Sequence, residues 1–196
     1  MLYAEKLKSN LEASIRAKQD FLTREAEIRT FQEAVALVVG VYKKGGRLYI
    51  AGNGGSAADA QHLATEFVAK LARPRAPLPA EALTVDTSLI TAIGNDFGFD
   101  EVFARQIEGK VQPSDVFLAI TTSGQSKNIL RALEACRSKG VPSILFSGKD
   151  GGPAKRLADY CVTATGADTS GTQEVHMVLY HTLCACVEAE LFKDSH

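Results

Sequence analysis

The amino-acid sequence predicts an α/β protein: five short strands in a parallel sheet covered by helices on both faces, behind an N-terminal helical extension. Three observations carry that reading. From about residue 47 onward, short apolar runs alternate with helical patterns, which is the signature of βαβ units. The runs are apolar enough to be buried on both sides, as parallel strands are. The chain has 196 residues, 45% of them hydrophobic, which suffices for one domain with a sizeable core.

Residues 3–24 read as a helix, with Leu7, Leu11, Ile15, Phe21 and Leu22 near a 3.6-residue spacing. A second helix covers about 30–43 and stops at Gly45-Gly46. Strands are predicted at "RLYIA" (47–51), "EALTV" (81–85), "DVFLAIT" (115–121), "VPSILFS" (141–147) and "YCVTAT" (160–165). Helical patterns separate them at 56–72, 87–93, 100–110, 126–139 and 153–158, and a last helix runs over about 171–192. "RPRAPLP" (73–79) reads as a stiff loop inside the domain. Residues 1–196 are expected to form a single domain, with 1–44 as its helical extension. The apolar stripe of that extension must pack on its own sheet or on a neighbouring chain, and the sequence leaves both open.

Bulk properties exclude several functions. A net charge of −1 gives no electrostatic case for nucleic acid or for a membrane surface. No apolar run reaches the roughly 18 residues that span a bilayer. The charges in "MLYAEKLKSN" come too early for a signal-peptide apolar region, so the expectation is a cytosolic protein. Cys136, Cys161, Cys184 and Cys186 form no CxxC pair and read as small buried hydrophobes in a reducing compartment.

In a parallel sheet, ligands bind outside the carboxyl ends of the strands. Two strands here end in unusual loops. The first leads into "GNGGSAAD", where Gly52, Gly54 and Gly55 permit close approach of a ligand to backbone N–H groups. Asn53 tolerates such turns, and Ser56 suits an N-cap. The second leads into "TTSGQS", offering the hydroxyls of Thr121, Thr122, Ser123 and Ser126 around Gly124 at another helix start. Hydroxyls, free amides and a helix dipole make an anion site, most often for phosphate. No Gly-Lys-Ser/Thr follows, so neither is a Walker loop. Either loop alone would pass for a tight strand-to-helix turn. Two on one sheet favour a phosphate-bearing ligand, and without a nucleotide-loop lysine a small sugar phosphate is favoured over ATP.

The sequence holds four histidines. His62 and Glu66 are four apart on the helix after the first loop and share a face that could hold one metal ion or one substrate. Spacing alone favours a solvated salt-bridged face, because Lys70 continues the stripe. In "TQEVHMVLYH" (172–181), Gln173 and His176 are i, i+3, and His181 lies about 80° around the helix from Gln173. His176, on a mostly apolar helix, reads as a satisfied core or interface histidine. Asn95 and Asp96 in "IGNDFGFDE" read as a turn ahead of a helix, able either to serve the turn or to orient sugar hydroxyls.

Taken together, "GNGGSAADAQH…E", "TAIGNDFGF", "TTSGQS", "GKDGG" and "QEVH…H" resemble the phosphoheptose (sedoheptulose-7-phosphate) isomerases of the sugar isomerase (SIS) domain superfamily. The resemblance covers most of the chain, in the family's order. It implies a flavodoxin-like SIS fold and a cytoplasmic homotetramer with active sites at subunit contacts. The implied activity is aldose–ketose isomerisation of sedoheptulose 7-phosphate to D-glycero-D-manno-heptose 7-phosphate, for bacterial heptose and lipopolysaccharide synthesis. Carried over, it implies that Asn53, Gly54, Gly55, Ser56, Asn95, Asp96 and Gln173 contact substrate, and that Thr121, Thr122, Ser123 and Ser126 cradle phosphate. Glu66 and His181 would be general base and acid. His62, Glu66, Gln173 and His181 would hold one zinc ion per subunit. The chain departs from the family at Thr121, where serine is usual, at Lys70, where arginine is common, and at Gly171-Thr172, where Arg/Lys-Ile is usual and where Gly171 is expected to loosen the helix start. A related SIS-domain paralogue binds the bacterial replication initiator without known catalysis, and a third class would only sense a sugar phosphate. Neither has a use for the Glu66–His181 pair.

Overall fold

The computed structural model describes residues 2–72 and 74–193, so His196 lies outside the described residues. Strands form at Leu48–Gly52 (β1), Ala80–Ala82 (β2), Val116–Thr121 (β3), Ser143–Gly148 (β4) and Tyr160–Ala164 (β5). All pair in parallel, in the order β2-β1-β3-β4-β5. The described α-helices are α1 (Leu2–Leu22), α2 (Glu25–Lys43), α3 (Gly55–Val68), α4 (Thr87–Asp96), α5 (Ala104–Lys110), α6 (Lys127–Lys139) and α7 (Thr169–Leu191). This is the flavodoxin-like α/β arrangement the sequence implied.

The period-2 geometry of each strand splits its side chains between two cores. Leu48 and Ile50 of β1, Leu118 and Ile120 of β3 and Phe146 of β4 face one core, shared with Val38 of α2, Leu63 and Phe67 of α3, and Leu179 and Leu183 of α7. Tyr49, Ala51, Phe117, Ala119 and Leu145 face the other, shared with Ile93 of α4, Ile107 of α5 and Ile129 and Leu133 of α6. The helix after β1 therefore covers one face and the helix after β3 covers the other.

Element boundaries differ from the sequence expectation where local chemistry intervenes. β2 is an edge strand that leaves the sheet after Ala82, and Asp86 then caps α4 by accepting from Leu89 N–H at 3.0 Å. Residues 153–158 are not an α-helix but a 3-10 turn at Pro153–Arg156. The span 100–110 divides into a 3-10 turn at Phe99–Glu101 and α5. Gly171 does not loosen α7, because Asp168 caps the helix and accepts from Gly171 N–H at 2.8 Å.

The α1 stripe is exposed. Leu7 and Leu11 are 60% and 54% exposed, and Ala17 is the only buried side chain of that helix among the described residues. The four cysteines are unpaired, and burial pushes the Cys136 and Cys184 thiols up to about 12. His176 is fully buried, with Nε2 donating to the Ser147 carbonyl at 3.0 Å, and burial pushes its pKa down to about 4.

A prediction follows from His176. Its folded value is depressed below the usual 6.5, so the unfolded chain binds a proton that the folded chain refuses. Stability contributed by the neutral ring is full above about pH 6.5 and is lost as pH falls toward 4. His176→Gln keeps an amide donor for Ser147 and removes the titration. Thermal melts at pH 7 and 4.5 should show a smaller acid loss of Tm in the variant than in the wild type.

Candidate active site

The two loops noted in the sequence lie side by side. β1 and β3 are neighbours, with Gly52 opposite Ile120, so their carboxyl ends open into one crevice. That crevice is a cavity of about 290 Å³ lined by Asn53, Gly54, Gly55, Ser56, Thr121, Thr122, Ser123, Ser126 and Gln173. It is polar at the hydroxyl loop and at the start of α3, and it has room for a phosphate and the carbons next to it.

Three local features hold it open. Gly54, with φ +55, is the N-cap of α3, so Ser56 lies inside the first turn, buried, and is not the cap the sequence suggested. A side chain on Gly55 would place its Cβ 2.3 Å from Gln173 Nε2, so only glycine lets the Gln173 amide lie over the loop. Gly124, at φ +64, would put a Cβ 2.0 Å from the Gly151 carbonyl oxygen, which fastens the hydroxyl loop against "GKDGG".

Asn53 has a structural task that the sequence did not show. Its amide exchanges two hydrogen bonds with buried Asn128 of α6, Nδ2 to Oδ1 at 2.9 Å and the reverse at 2.8 Å. This closed pair ties the glycine loop to the helix behind the hydroxyl loop. Asn95 and Asp96 are not in the cavity. They occupy the exposed last turn of α4, not a turn ahead of a helix, and bond to each other at 2.8 Å.

A second cluster stands where α3 meets α7. One ligand atom each from His62, Glu66 and His181 lies within 4.8 Å of the others. His62 Nε2 is 3.1 Å from Glu66 Oε1, and the His62 and His181 rings meet edge to face with centroids 5.0 Å apart. The pair is a partly exposed one, and Lys70, exposed and beyond the end of α3, joins no salt bridge among the described residues. Gln173, eight residues before His181 on α7 and so about 12 Å along the helix from it, lines the cavity.

Behind His62 stands a chain that the sequence did not reveal. The Tyr180 hydroxyl is 3.1 Å from His62 Nδ1 and 3.5 Å from Asp59 Oδ1. Where Asp59 is ionised it can only accept, and Tyr180 then donates to it and accepts from His62 Nδ1–H. The lone pair of His62 then sits on Nε2, facing the Glu66 carboxylate. Two acceptors facing each other need a proton or a cation between them, so the donor set suits a divalent ion bound by nitrogen and oxygen. Burial raises the Asp59 pKa, against the opposing pull of Tyr180, His62 and His181, and burial pushes the Tyr180 hydroxyl up to about 12.

The SIS domain family matches residues 12–148. The phosphoheptose isomerase of Aneurinibacillus thermoaerophilus is 43% identical over 188 residues, 96% of this chain and 95% of its own. The chain belongs to the phosphoheptose isomerase family of SIS-domain proteins. Solved structures of the family agree. The phosphoheptose isomerase of Francisella tularensis superposes with a TM-score of 0.90 at 33% identity, covering 95% of this chain and 98% of that one. The phosphoheptose isomerase GmhA of Neisseria gonorrhoeae superposes with a TM-score of 0.88 at 35% identity, covering 95% and 99%.

Tyr180→Phe removes one oxygen from the chain behind His62 and leaves the ring. Loss of such an outer hydrogen bond should weaken divalent metal binding by about 10-fold to 100-fold. Titration of the metal-free protein with Co²⁺ checks this; an unchanged affinity contradicts the tautomer assignment.

Proposed function

We propose that this protein is an aldose–ketose isomerase that converts sedoheptulose 7-phosphate to D-glycero-D-manno-heptose 7-phosphate. The observation that carries the reading is the convergence of Glu66 and His181 beside a phosphate-sized cavity lined by the hydroxyls of Thr121, Thr122, Ser123 and Ser126. Family membership supports the substrate class. The phosphate anchors one end of the sugar on the hydroxyls and on the amino end of α6. Asn53, Gly54, Gly55, Ser56 and Gln173 line the path from there to the reacting carbons. Asn95 and Asp96 reach a substrate only across a subunit contact or after a movement of α4.

The chemistry needs one proton moved between adjacent carbons. The Glu66 carboxylate takes a proton from C1 of the ketose while His181 delivers one to the C2 oxygen, leaving an enediol. Glu66 then returns its proton to C2 as His181 takes one from the C1 oxygen, and the aldose results. His62, Glu66, Gln173 and His181 would hold one zinc ion per subunit, an assignment that suits the facing electron pairs of His62 and Glu66. When bound, zinc polarises the carbonyl as a Lewis acid. A metal-bound carboxylate is a weaker base, so Glu66 serves one role at a time.

We further assign a homotetramer with shared sites. The exposed stripe of Leu7, Leu11 and Ile15 on α1, each more than half exposed, supports it. No described helix is long and apolar enough to cross a membrane, and a cytoplasmic place in bacterial heptose and lipopolysaccharide synthesis is consistent with the family. A non-catalytic regulator or sensor would gain nothing from the Glu66–His181 pair.

Glu66→Gln keeps an oxygen donor but cannot take a proton. Turnover of sedoheptulose 7-phosphate should fall by about 10²-fold to 10⁴-fold with the melting temperature retained; wild-type turnover in the folded variant rules Glu66 out as the base. Light scattering should give four times the mass of one chain, and Leu7→Glu with Leu11→Glu should lower it.

A further inference from the structure

One buried ion pair lies outside the chemistry yet touches both helices that carry it. Arg75, in the loop between α3 and β2, has a side chain with no exposed surface, and Glu188 of α7 has 2%. Arg75 Nε donates to Glu188 Oε1 at 2.8 Å. The same guanidinium turns back on the end of α3, with Nη2 donating to the Glu66 carbonyl at 2.8 Å and Nη1 to the Phe67 carbonyl at 2.7 Å. Leu71 N–H also donates to Glu188 Oε1, at 3.1 Å, and the ring of Phe192 lies 5.7 Å beneath the guanidinium.

The placement of these bonds is specific. Glu188 follows His181 by seven residues, two helical turns, and so lies on the same face of α7. The carbonyl that Arg75 grips is that of Glu66 itself. One planar fork thus joins the peptide of the carboxylate to the helix of the imidazole. A loop could be anchored without this. Apolar replacements of a buried ion pair often hold a fold as well or better, but they have no fixed direction. A fork bonded to two successive carbonyls and a carboxylate fixes distance and rotation together.

We infer that Arg75 and Glu188 are positioning residues, a buried clamp that sets the separation and rotation of α3 against α7 and so places Glu66 opposite His181. The inference rests on the reading of Glu66 and His181 as the reacting pair. Neither clamp residue touches substrate. Their effect is on geometry, and a displacement of about 1 Å at such a site costs on the order of 100-fold in rate.

The test uses Arg75→Lys, which keeps the charge and loses the fork, and Glu188→Gln, which keeps an acceptor and loses the charge. Each is compared with Glu27→Gln, which weakens the half-buried contact of Glu27 with Thr163 on β5, at the far edge of the sheet from β1. Arg75→Lys and Glu188→Gln should lower kcat by about 10-fold to 100-fold with KM changed less than about threefold, and should weaken Co²⁺ binding to the metal-free protein by a similar factor. Glu27→Gln should lower the melting temperature and leave kcat and Co²⁺ affinity alone. If either clamp variant fails to fold, the apolar pair Arg75→Met with Glu188→Leu should restore the fold but not kcat or Co²⁺ affinity. Folded clamp variants, or a folded apolar pair, with wild-type kcat and Co²⁺ affinity overturn the inference. Absence of turnover in the wild type would instead count against the proposed reaction, and the Co²⁺ arm would still decide the clamp.

Discussion

β1 hands the chain to a helix on one face of the sheet, and its neighbour β3 hands it to a helix on the other. Everything at the site depends on that reversal. Two helices leaving adjacent strands in opposite directions cannot cover the ends of those strands, so a crevice must open there. The backbone at the bottom of the crevice is rigid, because both strands are buried along their whole length. The loops above it are then free to carry chemistry that no core would tolerate: a row of hydroxyls and a glycine turn short of side chains. The cavity is a consequence of topology first and of residue choice second.

The cluster of His62, Glu66 and His181 is placed by a different contact, that of α3 against α7. Leu63 and Phe67 on one helix and Leu179 and Leu183 on the other share a core, which sets the helices side by side without fixing their rotation. Directional bonds supply the rotation. Tyr180 holds His62 from behind, Gln173 lies over Gly55, and Arg75 ties the Glu66 carbonyl to Glu188. Apolar packing brings the groups within reach, and a small number of buried polar contacts turn them to face one another.

Much of this was legible in the sequence, and the division is physical. β1, β3 and β4 could be read because a doubly covered parallel strand must be apolar throughout, whereas the edge strand β2, half-buried and carrying Glu81, was read too far along the chain. The start of α4 behind Asp86 could be read, but α4 runs on to Asp96 past its expected end at 93, and α7 begins at Thr169 behind the Asp168 cap and not at 171. The two loops that line the cavity could be read because glycines and hydroxyls cluster locally. Asn95 and Asp96 were placed in a turn, but they are the last two residues of α4, and they fall outside the cavity. Asn128, Tyr180, Arg75 and Glu188 could not be read at all. Their partners stand 75, 118, 113 and 113 residues away, and a contact across such a separation leaves no local pattern. Asn53 looked like a ligand for sugar and proves also to be half of an amide pair.

The most direct measurement of the central claim is proton NMR of sedoheptulose 7-phosphate with the protein in deuterium oxide, with and without added zinc. The account predicts an aldoheptose phosphate signal, with solvent deuterium at C2 of the product, because Glu66 exchanges its proton with water while the enediol waits. No conversion by a folded tetramer under either condition would contradict the isomerase reading. Conversion with the C1 hydrogen of the substrate carried wholly to C2, and no deuterium gained over many turnovers, would point to a direct hydride shift and contradict the enediol and the role given to Glu66.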